Sequence, residues 1–166
     1  RAPLALPLLV DSVRTVRLAA LPALAGLPDS AWTDTQRDAF ARVLAEYRAS
    51  PLFNADRPES WANLGNLDAR MGQSAAAEGA FARAVRLQPQ FVPAYMQLAE
   101  LYRTSGREAS ADSVLRLGLE RVPANTDLQY QLGLSLIRQG RKADALPLLK
   151  AAAESGNSHY AYVYGV

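Results

Sequence analysis

Apolar residues recur at steps of three and four through most of this chain, the spacing of helices that bury one face. The pattern also copies itself at a fixed interval. Trp61 is followed 34 positions later by Tyr95 and then by Gln129. Leu64 returns as Leu98 and Leu132, Gly65 as Ala99 and Gly133, Ala77 as Ala111 and Ala145, and Phe81 as Leu115 and Leu149. Gly72, Gly106 and Gly140 keep the same interval. Each cycle predicts two helices. Trp61, Leu64 and Asp68 share one face of the first, a Gly in left-handed conformation ends it, and Pro89 or Pro123 closes the second. Small residues at 65, 99 and 133, matched by Ala77, Ala111 and Ala145, let the two helices approach closely.

Before the first cycle, Asp11 is placed to cap a helix from Ser12, with Val13, Val16, Ala20 and Leu24 on one face. Leu27 to Ser30 reads as a turn. Thr33 or Asp34 then opens a helix to about Ser50, with Phe40, Val43, Leu44 and Tyr47 inward. In the connection after it, Leu52 and Phe53 are expected to cover apolar surface. The third cycle is the most divergent: Gln129 replaces an aromatic, Asn157 stands where Pro is expected, and Pro147 falls inside the second helix, where it removes a hydrogen bond.

The residues W-x-x-L-G, then A-x-x-x-F, then P, resemble the tetratricopeptide repeat, with copies at 58–91, 92–125 and 126–159. Asp68 departs from the aromatic of that pattern, Tyr102 restores it and Leu136 replaces it. Asp11, Val16, Arg17, Ala20 and Leu24 resemble the second helix of a HEAT repeat. That likeness implies that Asp11 and Arg17 hold neighbouring repeats together, and Pro22 is expected to bend or shorten the helix. The implied fold is all-α, an antiparallel helix-pair superhelix. A HEAT-like segment occupies 1–27, a joining helix and connection 33–57, three repeats 58–159, and a truncated fourth repeat 160–166. The start at Arg1 and the helix-like pattern that breaks off at Val166 lead us to expect a piece of a longer protein.

The resemblance implies binding along an inner wall made by the first helix of each pair. Positions offset from the packing face there are Asn66, Ala69 and Arg70, then Met96, Glu100 and Arg103, then Tyr130, Leu134 and Arg138. Arginines, an amide and adaptable apolar groups suit a protein or peptide carrying some carboxylates. The alternative is that the arginines only solvate their helices or pair with Glu59, Glu100 or Asp127. A subset of the family clamps a C-terminal carboxylate with Lys and Asn on its first helix. Here Ala62 replaces the Lys, Asn66 matches, and Asp127 and Gln131 replace later basic residues, so the clamp pattern is not met.

Composition narrows the chemistry. The 166 residues are 49% hydrophobic and 20% charged, which suits a folded chain. With no Cys, thiolate metal sites and covalent haem attachment within this segment are excluded, and either redox compartment remains open. A net charge of +2 with Arg alternating with acids argues against nucleic acid, and no apolar run is long enough to span a membrane. His159 stands alone, without a partner for a zinc motif or a catalytic triad, and no phosphate loop or dinucleotide fingerprint occurs. The expectation is a scaffold without catalysis or cofactor, with weak self-association through Tyr160, Tyr162 and Tyr164. A second reading comes from the combination of HEAT-like and tetratricopeptide-like helices in a bacterial-looking, Ala/Arg/Leu-rich chain. It resembles the C-terminal regions of some multihaem c-type cytochromes, which implies a docking domain beside an extracytoplasmic electron-transfer protein.

Overall fold

The computed structural model describes residues 2–49 and 55–155, whose regular elements are all helices joined by turns, with no strand among them. The expectations for Leu52, Phe53, Asn157, His159 and the Tyr-rich end lie outside the described residues. Contacts gather the chain into two compact units, Arg1–Ala80 and Phe81–Val166.

In the first unit, a single turn α1 (Ala2–Ala5) runs into a 3-10 segment (Leu6–Val10), which the apolar spacing had not indicated. Helix α2 is Arg14–Leu24, α3 Asp34–Arg48 and α4 Pro58–Arg70. The helix expected from Ser12 starts later. Asp11 is spent on the turn before it, where its carboxylate accepts from the Val13 amide at 2.7 Å. Helix α2 runs past Pro22 and ends two residues on, at Leu24. Thr33 caps α3 through a reciprocal arrangement: its hydroxyl accepts from the Gln36 amide, and the Gln36 side chain accepts from the Thr33 amide. Leu9, Leu18, Leu21, Leu24, Val43 and Leu67 form the core, with Trp32 packed on Phe40 at 5.1 Å between ring centroids. Val13, expected on the inner face of α2, is exposed.

Among the described residues, three ion pairs join these helices. Arg17 donates to both Glu46 carboxylate oxygens, at 2.8 and 3.2 Å, and to the Asp11 carbonyl at 2.7 Å. Arg14 adds an ion pair to Glu46 at 3.0 Å without hydrogen-bond alignment. The HEAT-like expectation thus shifts: Arg17 binds α3 through Glu46, while Asp11 accepts its hydrogen bond through the backbone carbonyl and adds the attraction of its charge. Asp68, the departure from the aromatic pattern, is buried and accepts from Arg48 at 2.6 Å, so an ion pair from α3 fills that place in α4.

Helix α5 (Ser74–Leu87) crosses from one unit to the next. In the second unit follow α6 (Val92–Thr104), α7 (Glu108–Arg121), α8 (Thr126–Arg138) and α9 (Lys142–Ala153). Neighbours in sequence pack on one another, and α6 also reaches α8. Tyr95, Leu128, Leu132 and Leu136 are almost fully enclosed, as is Phe81 from the last part of α5.

The 34-residue period reappears as geometry. Gly72, Gly106 and Gly140 have φ of 73°, 72° and 76°, and each is followed by an amide that bonds back into the preceding helix: Gln73 to Asp68, Arg107 to Tyr102, Arg141 to Leu136. A second device is less visible in the sequence. Trp61 Nε1 donates to the Ala55 carbonyl, the Tyr95 hydroxyl to Pro89 and the Gln129 amide to Pro123, at 2.7, 2.8 and 3.1 Å. Gln129 therefore keeps the bond that the aromatic residues make, although it does not keep their shape.

Candidate functional site

A cavity of about 240 Å³ opens on the second unit between α6 and α8. Helix α6 contributes Met96, Gln97, Ala99, Glu100 and Arg103, α8 contributes Gln131, Ser135 and Arg138, and Ala111 and Leu115 of α7 line it as well. On each long helix the polar residues stand at steps of three and four, which holds them on one flank.

Charges in the cavity are matched internally. Arg103 grips Glu100 with two bonds, at 2.5 and 2.7 Å. Arg138 lies 3.5 Å from Glu108 of α7. Hydrogen bonding to Arg103 holds the Glu100 carboxyl below its ordinary value, against a smaller opposing effect of burial, and the charges of Arg103 and Arg138 add to the lowering. Arg103 is raised, first by its bond to Glu100. Behind the wall, the Ser135 hydroxyl donates to Asp112 at 2.5 Å, and the Gln139 amide donates to the same carboxylate at 2.9 Å. Asp112 is buried, so these two donors supply the bonds that water would otherwise provide. The network fixes Ser135 and ties α8 to α7.

Of the residues expected on the inner wall, Met96, Glu100, Arg103 and Arg138 come together in this cavity. Tyr130 does not: it is only 7% exposed and belongs to the packed interior. Ala62, two repeat periods before Tyr130, is buried as well, so this position lies at the edge of the packing face. Leu134 is half-buried and outside the cavity lining. Asn66 and Arg70 belong to the first unit, where Asn66 is half-buried and Arg70 donates to the Pro22 carbonyl of α2 at 2.9 Å.

Gln97, Gln131 and Ser135 are the additions. Equivalent positions were expected to line the wall, 96 with 130 and 100 with 134. A cleft between neighbouring helices is instead lined by facing flanks, so α8 presents 131, 135 and 138 where α6 presents 96, 100 and 103. Gln97 and Gln131 stand one period apart, and that recurrence of an amide was the available signal.

The tetratricopeptide repeat family model matches residues 58–91 and 92–125. The chain carries two tetratricopeptide repeats. They hold α4 with α5 and α6 with α7, at the boundaries read from the period. Among curated protein sequences, none matches. Solved structures do. One described as a crystal structure of MamA is 19% identical, covers 86% of this chain and 80% of its own, and has a TM-score of 0.59. A second, of MamA protein, is 14% identical over 99% of this chain and 96% of its own, with a TM-score of 0.58. At these identities the likeness is one of fold, an all-α arrangement of helix pairs. Repeats of this kind are scaffolds for protein partners, typically without catalysis.

Proposed function

We propose that this protein is a non-catalytic scaffold that holds an acidic peptide or protein segment on the α6–α8 flanks of its repeats, and that residues 126–155 act as a third repeat completing that wall. The observation that carries the reading is the convergence of Arg103, Arg138, Gln97, Gln131 and Met96 on one cavity. Arginine forks recognise carboxylates, the amides both donate to and accept from a peptide backbone, and Met96 offers an adaptable apolar contact. Exchanging both Arg103 and Arg138 for Glu reverses the charge offered to the partner and spares the buried core.

The experiment is affinity capture with the wild type, the Arg103→Glu/Arg138→Glu variant and a Ser113→Arg variant, each checked by circular dichroism. Ser113 is an exposed residue of α7 outside this cavity. A partner kept by the wild type and the Ser113 variant and lost by the double variant supports the reading. Retention by all three, or loss with Ser113→Arg alone, removes it.

A further inference from the structure

We propose that Glu100 is a built-in occupant of the binding cavity, standing where a partner's carboxylate goes, so that an acidic segment binds by displacing it from Arg103 and then also reaches Arg138. This deepens the proposed function and rests on it. Three observations converge. Glu100 already makes the two-point contact with Arg103 that an incoming carboxylate would make. It also feels the charge of Arg138, which comes from the other flank of the cleft. The pair remains displaceable, since the side chains of Glu100 and Arg103 are 54% and 41% exposed and an exposed ion pair at this spacing is weakly held. Arg138 is the looser of the two arginines, 3.5 Å from Glu108 through Nε.

The exchange conserves charge. One carboxylate leaves Arg103 and another takes its place, while Glu100 turns to solvent. The resident group therefore lowers affinity for every acidic ligand and rejects those too weak to displace it. Removing its charge strengthens acidic binding. Were Glu100 itself a contact for the partner, the same change would weaken it.

The test uses a short fluorescent peptide of alternating Glu and Ala, with a Gln/Ala peptide as control, read by polarisation. Glu100→Gln should bind the acidic peptide more tightly by up to about fivefold, the scale of an exposed pair. Glu120→Gln makes the same change in net charge on an exposed part of α7 away from the cavity and should leave binding unchanged. Arg138→Gln should weaken it, and the Gln/Ala peptide should not respond to any variant. The proposal is overturned if Glu100→Gln binds equally or less well, or if Glu120→Gln tightens binding as much. If Arg138→Gln weakens binding while Glu100→Gln changes nothing, the cavity still serves acidic partners and only the role of Glu100 fails. If neither the wild type nor Glu100→Gln binds the acidic peptide, this proposal fails, while affinity capture still judges the scaffold reading.

Discussion

At the scale of single residues, position within the repeat decides what each glycine is for. A Cβ on Gly133 would meet Leu149 Cδ2 at 2.6 Å and Cγ at 2.7 Å, because α8 and α9 touch there. Gly133→Ala should destabilise the protein by about 1–3 kcal/mol, measured by urea denaturation, since Leu149 is packed and has little room to yield. Gly79 lies exposed within α5 with nothing near its Cβ position. Gly79→Ala should stabilise by about 0.5–1 kcal/mol for the same chemical change. The contact at Gly133 was legible from the interval shared with Gly65 and Ala99. Gly118, whose Cβ would come within 3.0 Å of Leu128 and 3.1 Å of Tyr95, stands in a second small-residue interval with Ala84 and Ala152, a signal that was present in the sequence and not used. Likewise Gln129 looked like a loss in the third cycle. Pattern matching weighs side-chain shape, whereas the structure selects for a donor that reaches a carbonyl six residues back. Tyr95→Phe, which removes that donor and keeps the ring, should cost about 0.5–1.5 kcal/mol in the same assay.

Among the elements, α9 and the α2–α3 contact carry the conflicts between local preference and packing. Pro147 sits inside α9, where it cannot donate a backbone bond, yet Ala145, Leu149 and Ala152 around it are buried. Burial of that face overrides the local penalty, which is why reading the helix through the proline succeeded. Pro147 is itself exposed, so Pro147→Ala should raise stability, by less than the roughly 3 kcal/mol of an interior proline because the unfolded chain also gains freedom. Between α2 and α3, Arg17, chiefly through its hydrogen bonds, holds the Glu46 carboxyl below its ordinary 4.5, partly opposed by burial. The folded state keeps that carboxylate charged at a pH where the unfolded chain begins to take up a proton. The contact thus adds stability above the ordinary value and loses it as pH falls through the lowered one. Glu46→Gln should therefore differ from the wild type in denaturation midpoint at neutral pH, and the two should converge in acid. A difference that persists below the lowered value would show that the residue acts through packing.

Over the whole molecule, the helix pairs and the glycine turns between them were legible because residues close together in the chain fix them, whereas α1 and the 3-10 segment after it offered no apolar spacing to read. The cavity was half legible: of the residues expected on the wall, Met96, Glu100, Arg103 and Arg138 line it, while Gln97, Gln131 and Ser135 were missed, since facing flanks depend on how two helices are placed and not on periodicity within either. Charge pairs followed the same division: Arg103 with Glu100, the alternative named from the sequence, lies within one helix, whereas Arg17 with Glu46 and Arg48 with Asp68 join different helices and were hidden. A sequence pI of 9.1 invites the expectation of a polyanion-binding surface. Among the described residues, however, Arg17 is committed to Glu46, Arg48 to Asp68, Arg103 to Glu100 and Arg141 to Asp144, and these pairs are spread over both units. With a net charge of only +2 and these arginines paired, the reading of the repeats as a surface for acidic protein segments expects little affinity for a phosphate backbone. Fluorescence anisotropy with duplex DNA and with single-stranded RNA should accordingly show no binding at physiological salt. Any association at low salt should be weak and lost on the first additions of salt. A micromolar complex whose affinity falls along a steep logarithmic salt dependence would mean that these pairs open to let their arginines bind phosphate, and the reading of the repeats as a surface for acidic protein segments would have to give way to one for nucleic acid.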